Sequence, residues 1–141
     1  MKKFLKFILL LAPWFISSII FKVDTVFYKS LNLPFFAPPP IIFAIVWPLL
    51  YILITLSIIK TKDKDLNYYK SLIINYFSNQ IYTFLFFTIK SPFIAFIDTI
   101  IVLISSLFLY LNSNKSKLLI PYIIWNIFAT ILSLTIYLMN I

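Results

Sequence analysis

The sequence predicts an all-α integral membrane protein, a bundle of five transmembrane helices. Three observations predict it. Hydrophobic residues make up 62% of the 141 positions and charged residues 11%, against roughly 45–50% and about 25% in soluble domains. The charges sit at the ends of long apolar runs. Five such runs occur, the first a short one and the other four near the about 20 residues that a helix needs to cross a bilayer core. So few charges cannot cover the surface of a soluble domain, and disorder requires low hydrophobicity.

The first run is uncharged from 7 to 21, between Lys6 and Lys22. It gives a helix near 4–22, with both lysines placed to snorkel. The start MKKFLKFILLLAPWF resembles a signal peptide. Pro13-Trp14 interrupt its apolar core and no A-x-A-like site follows, so it is read as a retained helix. After Pro38-Pro39-Pro40, Ile41–Ile59 is uncharged and gives a helix near 41–60. Residues 71–89 give one near 69–89. Ser91–Asn114 contains only Asp98 and gives one near 92–111. Leu118–Ile141 is uncharged and gives one near 117–140. Barrel strands are much shorter alternating segments, which excludes an outer-membrane barrel. The chain reads as a single domain over 1–141, with no repeat or linker.

Absent residues restrict the chemistry. The chain has no Cys, His or Gly, its bases are all Lys and its acids all Asp. Thiolate or imidazole metal sites, Ser-His-Asp triads and Gly-rich phosphate loops are therefore excluded. No catalytic residues, metal ligands or cofactors are assigned. The net charge of +8 is not gathered in one patch, which argues against a nucleic-acid partner. Its distribution fits membrane topology. Lys2, Lys3, Lys6, Lys60, Lys62, Lys64, Lys70, Lys115 and Lys117 fall on one side of a five-span chain, and Lys22, Lys29 and Lys90 on the other. The positive-inside rule then puts the N-terminus in the cytoplasm and the C-terminus outside.

Three helix faces carry polar or small residues at helical spacing. Ser71, Asn75, Ser78, Asn79 and Tyr82 form one. Ser91, Ala95, Asp98, Val102 and Ser105 form a second, and Tyr122, Asn126, Ala129, Ser133 and Asn140 a third. Polar groups facing lipid cost free energy, so these faces should meet inside the bundle. They serve either as glue between helices or as the lining of a cavity. Asp98 reads equally as a structural, hydrogen-bonded acid and as a ligand or proton site.

The segment FYKSLNLPFFAPPPIIFAIVWPLLY at 27–51 resembles the translocator protein (TspO/MBR) family, in particular its Bacillus-type members. Phe27-Tyr28, Leu31, Pro34, Phe36, Pro38-Pro39, Phe43, Val46-Trp47 and Leu50-Tyr51 stand at the family's motif positions. Asn75, Asn79, Tyr82-Thr83 and Phe86-Phe87 match its third helix, and Pro121-Tyr122, Trp125, Phe128-Ala129 and Leu132-Ser133 its fifth. The departures are Phe27 and Phe36 for Trp, Asn75 for Gln, Tyr82 for Trp, Ser133 for Asn, and Leu134 where many bacterial members have Trp.

The resemblance implies a five-helix bundle, usually a homodimer, in a bacterial plasma membrane. It implies a pocket under the first loop for porphyrins or other flat hydrophobic molecules. Tyr28 and Pro38 would belong to the lid, and Trp47, Tyr51, Asn79 and Tyr82 to the walls. Ser18, Ala129, Ser133, Leu134 and Asp98 complete the candidate ligand contacts. Aromatic faces with a few amide and hydroxyl groups suit a flat aromatic ligand. Trp47 alone would also fit an interfacial anchor. Three functions stay open: a tetrapyrrole receptor or carrier, a light-dependent porphyrin-degrading enzyme, and a scaffold without ligand. No acid–base pair for conventional catalysis is visible. Poor photodegradation is expected, because Leu134 is not an indole and Trp125 lies about 13.5 Å earlier along its helix at ~1.5 Å per residue.

Overall fold

The computed structural model describes all residues from Met1 to Ile141 and contains helices and no strands. The helices are α1 (Lys2–Leu11), α2 (Ile16–Ile20), α3 (Thr25–Ser30), α4 (Pro40–Lys60), α5 (Leu66–Thr83), α6 (Pro92–Leu111) and α7 (Ile120–Met139). Four stretches are long and apolar enough to cross a membrane: Lys2–Ile20, Pro40–Lys60, Pro92–Leu111 and Lys117–Met139. The helix at α5 does not reach that standard of length and composition, because Asn75, Ser78, Asn79 and Gln80 dilute its apolar residues. It continues instead into one π-helical turn, Phe84–Thr88.

The expected helix near 4–22 is interrupted. Ala12–Phe15 is a 3₁₀ turn with Pro13 in its first positions. Proline lacks the N–H for an intrahelical bond, and the tighter turn that follows it turns the Pro13 and Trp14 carbonyls toward side-chain donors on α5. Tyr76 Oη donates to the Pro13 carbonyl at 2.8 Å, and Gln80 Nε2 to that of Trp14 at 2.9 Å. The break thus docks the first span onto α5.

The first loop also departs from expectation. Between residues 23 and 40 it folds into α3, whose N-terminus is capped by Asp24 Oδ1 accepting from Phe27 N at 2.9 Å. Pro40 begins α4, where its fixed φ suits the first helical turn and its missing N–H costs nothing. Asp65 caps α5 and Ser91 caps α6 in the same way as Asp24.

The helices form a ring. The α1–α2 segment lies against α4 and α5, α5 packs along α6, α6 along α7, and α7 closes on α4. The apolar core between them holds Trp14, Leu50, Tyr51, Ile54, Tyr68 and Tyr122. A second cluster under α3 holds Tyr28, Phe86, Ala95, Leu132 and Ile136.

The three polar faces meet inside this ring. Asn75, Asn79, Asp98, Ser105, Asn126 and Ser133 are all buried. Asn75 Nδ2 donates to Ser105 Oγ at 3.0 Å and to the Val102 carbonyl at 3.2 Å. Asn75 Oδ1 accepts from Tyr122 Oη at 2.9 Å, and Asn79 Nδ2 donates to the same hydroxyl at 3.2 Å. Asn79 Oδ1 accepts from Tyr51 Oη at 3.2 Å and from Gln80 Nε2 at 3.1 Å. Gln80 Oε1 accepts from Ser17 N at 3.0 Å. Asn79 therefore bonds to Tyr51, Tyr122 and Gln80, and not to Asp98.

Asn79→Leu removes one donor and one doubly used acceptor from this chain of bonds. Interhelical bonds in membranes average about 0.6 kcal/mol and reach about 1.7 kcal/mol, so the loss should destabilise the bundle by about 2 kcal/mol. Thermal unfolding in detergent checks it against Ile81→Leu, a change on an exposed side chain of the same helix. Equal transition temperatures for the two variants would contradict the role given to Asn79.

Candidate functional site

A cavity of about 660 Å³ opens beneath α3, between the α1–α2 segment, α4, α5 and α7. Its size falls in the usual range for small-molecule sites. No charged side chain lines it.

Its wall is built from neighbouring turns of each helix. Phe43, Trp47 and Tyr51 on α4 follow one another at i, i+4 and i+8, which keeps them on one face. Pro48 sits within α4; without an N–H it leaves the Ala44 carbonyl lacking its usual helical donor. Both residues line the cavity. On the far side Tyr82 stacks on Phe86 at 5.8 Å between ring centroids and 16° between planes. The π-helical turn carries Phe86 and Phe87 onto the wall. Such turns often occur at functional sites. Tyr82 Oη and Ser133 Oγ lie 3.3 Å apart and join α5 to α7.

The lid is held at three points. Tyr28 Oη donates to the Pro38 carbonyl at 2.8 Å. Burial pushes the Tyr28 hydroxyl above its ordinary range. Lys90 Nζ stands 3.9 Å from Asp24 Oδ2 and 5.4 Å from the centre of the Phe27 ring. Asn32 and Asn140 clasp each other: Asn32 N donates to Asn140 Oδ1 and Asn140 Nδ2 to the Asn32 carbonyl, both at 2.9 Å.

Of the residues singled out from the sequence, Ser18, Tyr28, Trp47, Tyr51, Asn79, Tyr82, Ala129 and Ser133 line the cavity together. Pro38 does not line it; its carbonyl anchors Tyr28. Leu134 is also off the wall. Ser133 faces inward, and the next residue is turned by about 100° on a helix of 3.6 residues per turn, so Leu134 points outward with 38% of its surface exposed. Asp98 is 5% exposed and its Oδ2 has no partner, yet it stands behind the wall that its neighbours Thr99 and Val102 form.

Trp125 is the main correction. Its distance along the helix from position 134 placed it out of reach, but position 134 is not on the cavity. The cavity face of α7 runs through Trp125, Asn126, Ala129, Leu132, Ser133 and Ile136. Trp125 meets Trp47 edge-on at 6.3 Å and Phe43 at 5.9 Å. The spacing of four between Trp125 and Ala129 carried this information. Trp125 Nε1 and Asn126 Nδ2 are buried without protein partners, and both side chains belong to the wall, so two donors stand unused beside the cavity.

The chain is similar to the tryptophan-rich protein TspO of Bacillus cereus, 35% identical over 95% of this chain and 94% of that protein. It is 33% identical to the uncharacterized membrane protein YtaB of Bacillus subtilis, over 96% and 94% of the two chains. It is 31% identical to the tryptophan-rich protein TspO of Archaeoglobus fulgidus, over 80% and 79%. The model of the TspO/MBR family matches residues 6–138, which take in every helix that borders the cavity. An apolar helical chain with this lidded aromatic cavity, matched along nearly its whole length, is a membrane protein of the TspO/MBR family.

Proposed function

We propose that this protein is a receptor or carrier for flat hydrophobic ligands of the porphyrin class, bound in the cavity beneath α3. The observation that carries the proposal is the wall itself. It is uncharged, it is rich in aromatic rings, and it has a few orienting groups in Asn79, Tyr82, Asn126 and Ser133. Rings favour stacked and edge-on contacts with a planar aromatic ligand. Without imidazole or thiolate in the chain, a metal-free porphyrin suits the site better than haem.

In this reading α5, with its π-helical turn, is the fifth transmembrane segment. Its amides face the bundle and its exposed Ile73, Ile74, Phe77 and Ile81 face lipid. The lysine asymmetry then sets the N-terminus in the cytoplasm and the C-terminus outside.

A second reading, light-dependent porphyrin breakdown, is favoured by one observation. Two indoles, Trp47 and Trp125, share the wall at 6.3 Å. Illumination of the complex in air should then bleach the porphyrin faster than in free solution, and Trp47→Phe with Trp125→Phe should abolish the gain. Equal bleaching with and without the protein leaves the receptor reading alone.

Binding followed by tryptophan fluorescence tests the main reading. Trp47→Ala should weaken porphyrin affinity at least about tenfold, or ~1.4 kcal/mol. Leu134→Ala should leave it within about twofold. Equal losses, or none in a folded Trp47→Ala protein, would refute the assigned cavity.

Topology is open to single-cysteine labelling, since the chain has no Cys. An impermeant thiol reagent on intact cells should label Ile141→Cys and spare Lys62→Cys. The reverse pattern would invert the orientation.

A further inference from the structure

A second depression, of about 610 Å³, lies on the outer surface between α5 and α6, away from the porphyrin cavity. Its two ends differ in chemistry. Lys70, Asn67 and Asn112 stand at the end nearest the 60–70 and 112–117 loops. Ile74, Ile101 and Ile104 line the other end, about one to three turns deeper along the antiparallel pair at 3.6 residues per turn. Those three side chains are exposed, so in a bilayer they meet acyl chains.

The polar end is organised. Asn112 Nδ2 donates to Ser71 Oγ at 3.3 Å and to the Phe108 carbonyl at 2.8 Å, and Ser71 Oγ donates to the Asn67 carbonyl at 2.8 Å. These bonds fix the floor and leave Lys70 above it. The one ion pair of the chain is Lys90–Asp24, so the Lys70 ammonium has no carboxylate partner. Lys60, Lys62, Lys64, Lys115 and Lys117 share this end of the molecule with only Asp63 and Asp65 of opposite sign. A groove with a cationic, hydrogen-bonding mouth and an isoleucine-lined interior complements one kind of molecule, an amphiphile with an anionic head and hydrocarbon tails.

We infer that this groove holds an anionic phospholipid, its phosphodiester headgroup at Lys70 and Asn112 and one acyl chain along Ile74, Ile101 and Ile104. The inference does not depend on the ligand of the lidded cavity. Charge complementarity selects the headgroup, because basic residues at a membrane surface attract anionic lipid. The depth of the groove selects the tail.

Native mass spectrometry of the full chain, released from detergent after incubation with phosphatidylglycerol or phosphatidylcholine of the same acyl composition, tests the site. One phosphatidylglycerol should be retained in preference to phosphatidylcholine. Lys70→Gln should cut that preference about fivefold, the weight of one lysine at an anionic surface. Lys115→Gln, off the groove, should leave it largely intact. Ile104→Trp, which fills the tail end from an exposed position, should lower retention of both lipids while the helical circular dichroism is unchanged. Equal effects of Lys70→Gln and Lys115→Gln would overturn the site in favour of diffuse charge. Displacement of the lipid by millimolar inorganic phosphate would show that the head alone is recognised and overturn the acyl groove. Adduct mass equal to a second copy of the chain, in place of lipid, would make the groove a protein interface.

Discussion

The bundle depends on amide side chains that would be intolerable if they faced lipid. Asn75, Asn79 and Gln80 project from α5 into the ring and bond to each of the four apolar spans: Ser17 and Trp14 before α4, Tyr51 on α4, Val102 and Ser105 on α6, and Tyr122 on α7. Between helices in a bilayer, hydrophobic association is weak because lipid tails are as apolar as leucine. Directional bonds and close packing then decide which helices are neighbours. The cavity follows from this arrangement, since Tyr51 and Asn79 are at once members of the bonded chain and parts of its wall.

Prolines place the backbone where that chain needs it. Pro13 opens the first span so that its carbonyls meet Tyr76 and Gln80. Pro40 starts α4 directly after the lid, and Pro48 withdraws a donor next to the cavity. In a chain without glycine, left-handed backbone falls to Lys90, Asn114 and Lys115, at the two short connections flanking α6. Lys90 sits at φ 58° and there comes close to Asp24 and Phe27, so the tight turn between α5 and α6 also sets a cation against the loop that carries α3.

Much of this was legible in the sequence. Four of the apolar runs, the buried polar faces and the grouping of Trp47, Tyr51, Asn79 and Tyr82 follow from hydropathy, helical spacing and the resemblance at 27–51. What escaped has physical causes. The run at 71–89 carries no charge and so reads as a fifth span, yet α5 falls short of one by composition, because Asn75, Ser78, Asn79 and Gln80 take up its inward face. The place of Trp125 escapes because distance along a helix does not say which face meets the cavity, and only packing shows that α7 turns Ser133 and not Leu134 to it. The helix α3 is six residues long, too short to have a periodicity of its own. Asp98 shows the limit from the other side. A single acid in an apolar run marks a buried place, but whether it stands on a wall or behind one depends on a rotation of one residue.

The neutrality of the cavity has a consequence for how it selects. If the ligand is a porphyrin-like molecule, as proposed, one that enters from the hydrocarbon of the bilayer is already removed from water. The usual gain from burying apolar surface is then largely spent before the ligand enters. What distinguishes the cavity from surrounding lipid is rigid ring shape and a handful of polar atoms: the Trp125 and Asn126 donors and the Ala44 carbonyl. Greasiness raises a candidate's concentration in the membrane without making it prefer the cavity to the surrounding lipid. Discrimination rests on whether a molecule is flat enough for the rings and carries acceptors and donors where those few atoms stand.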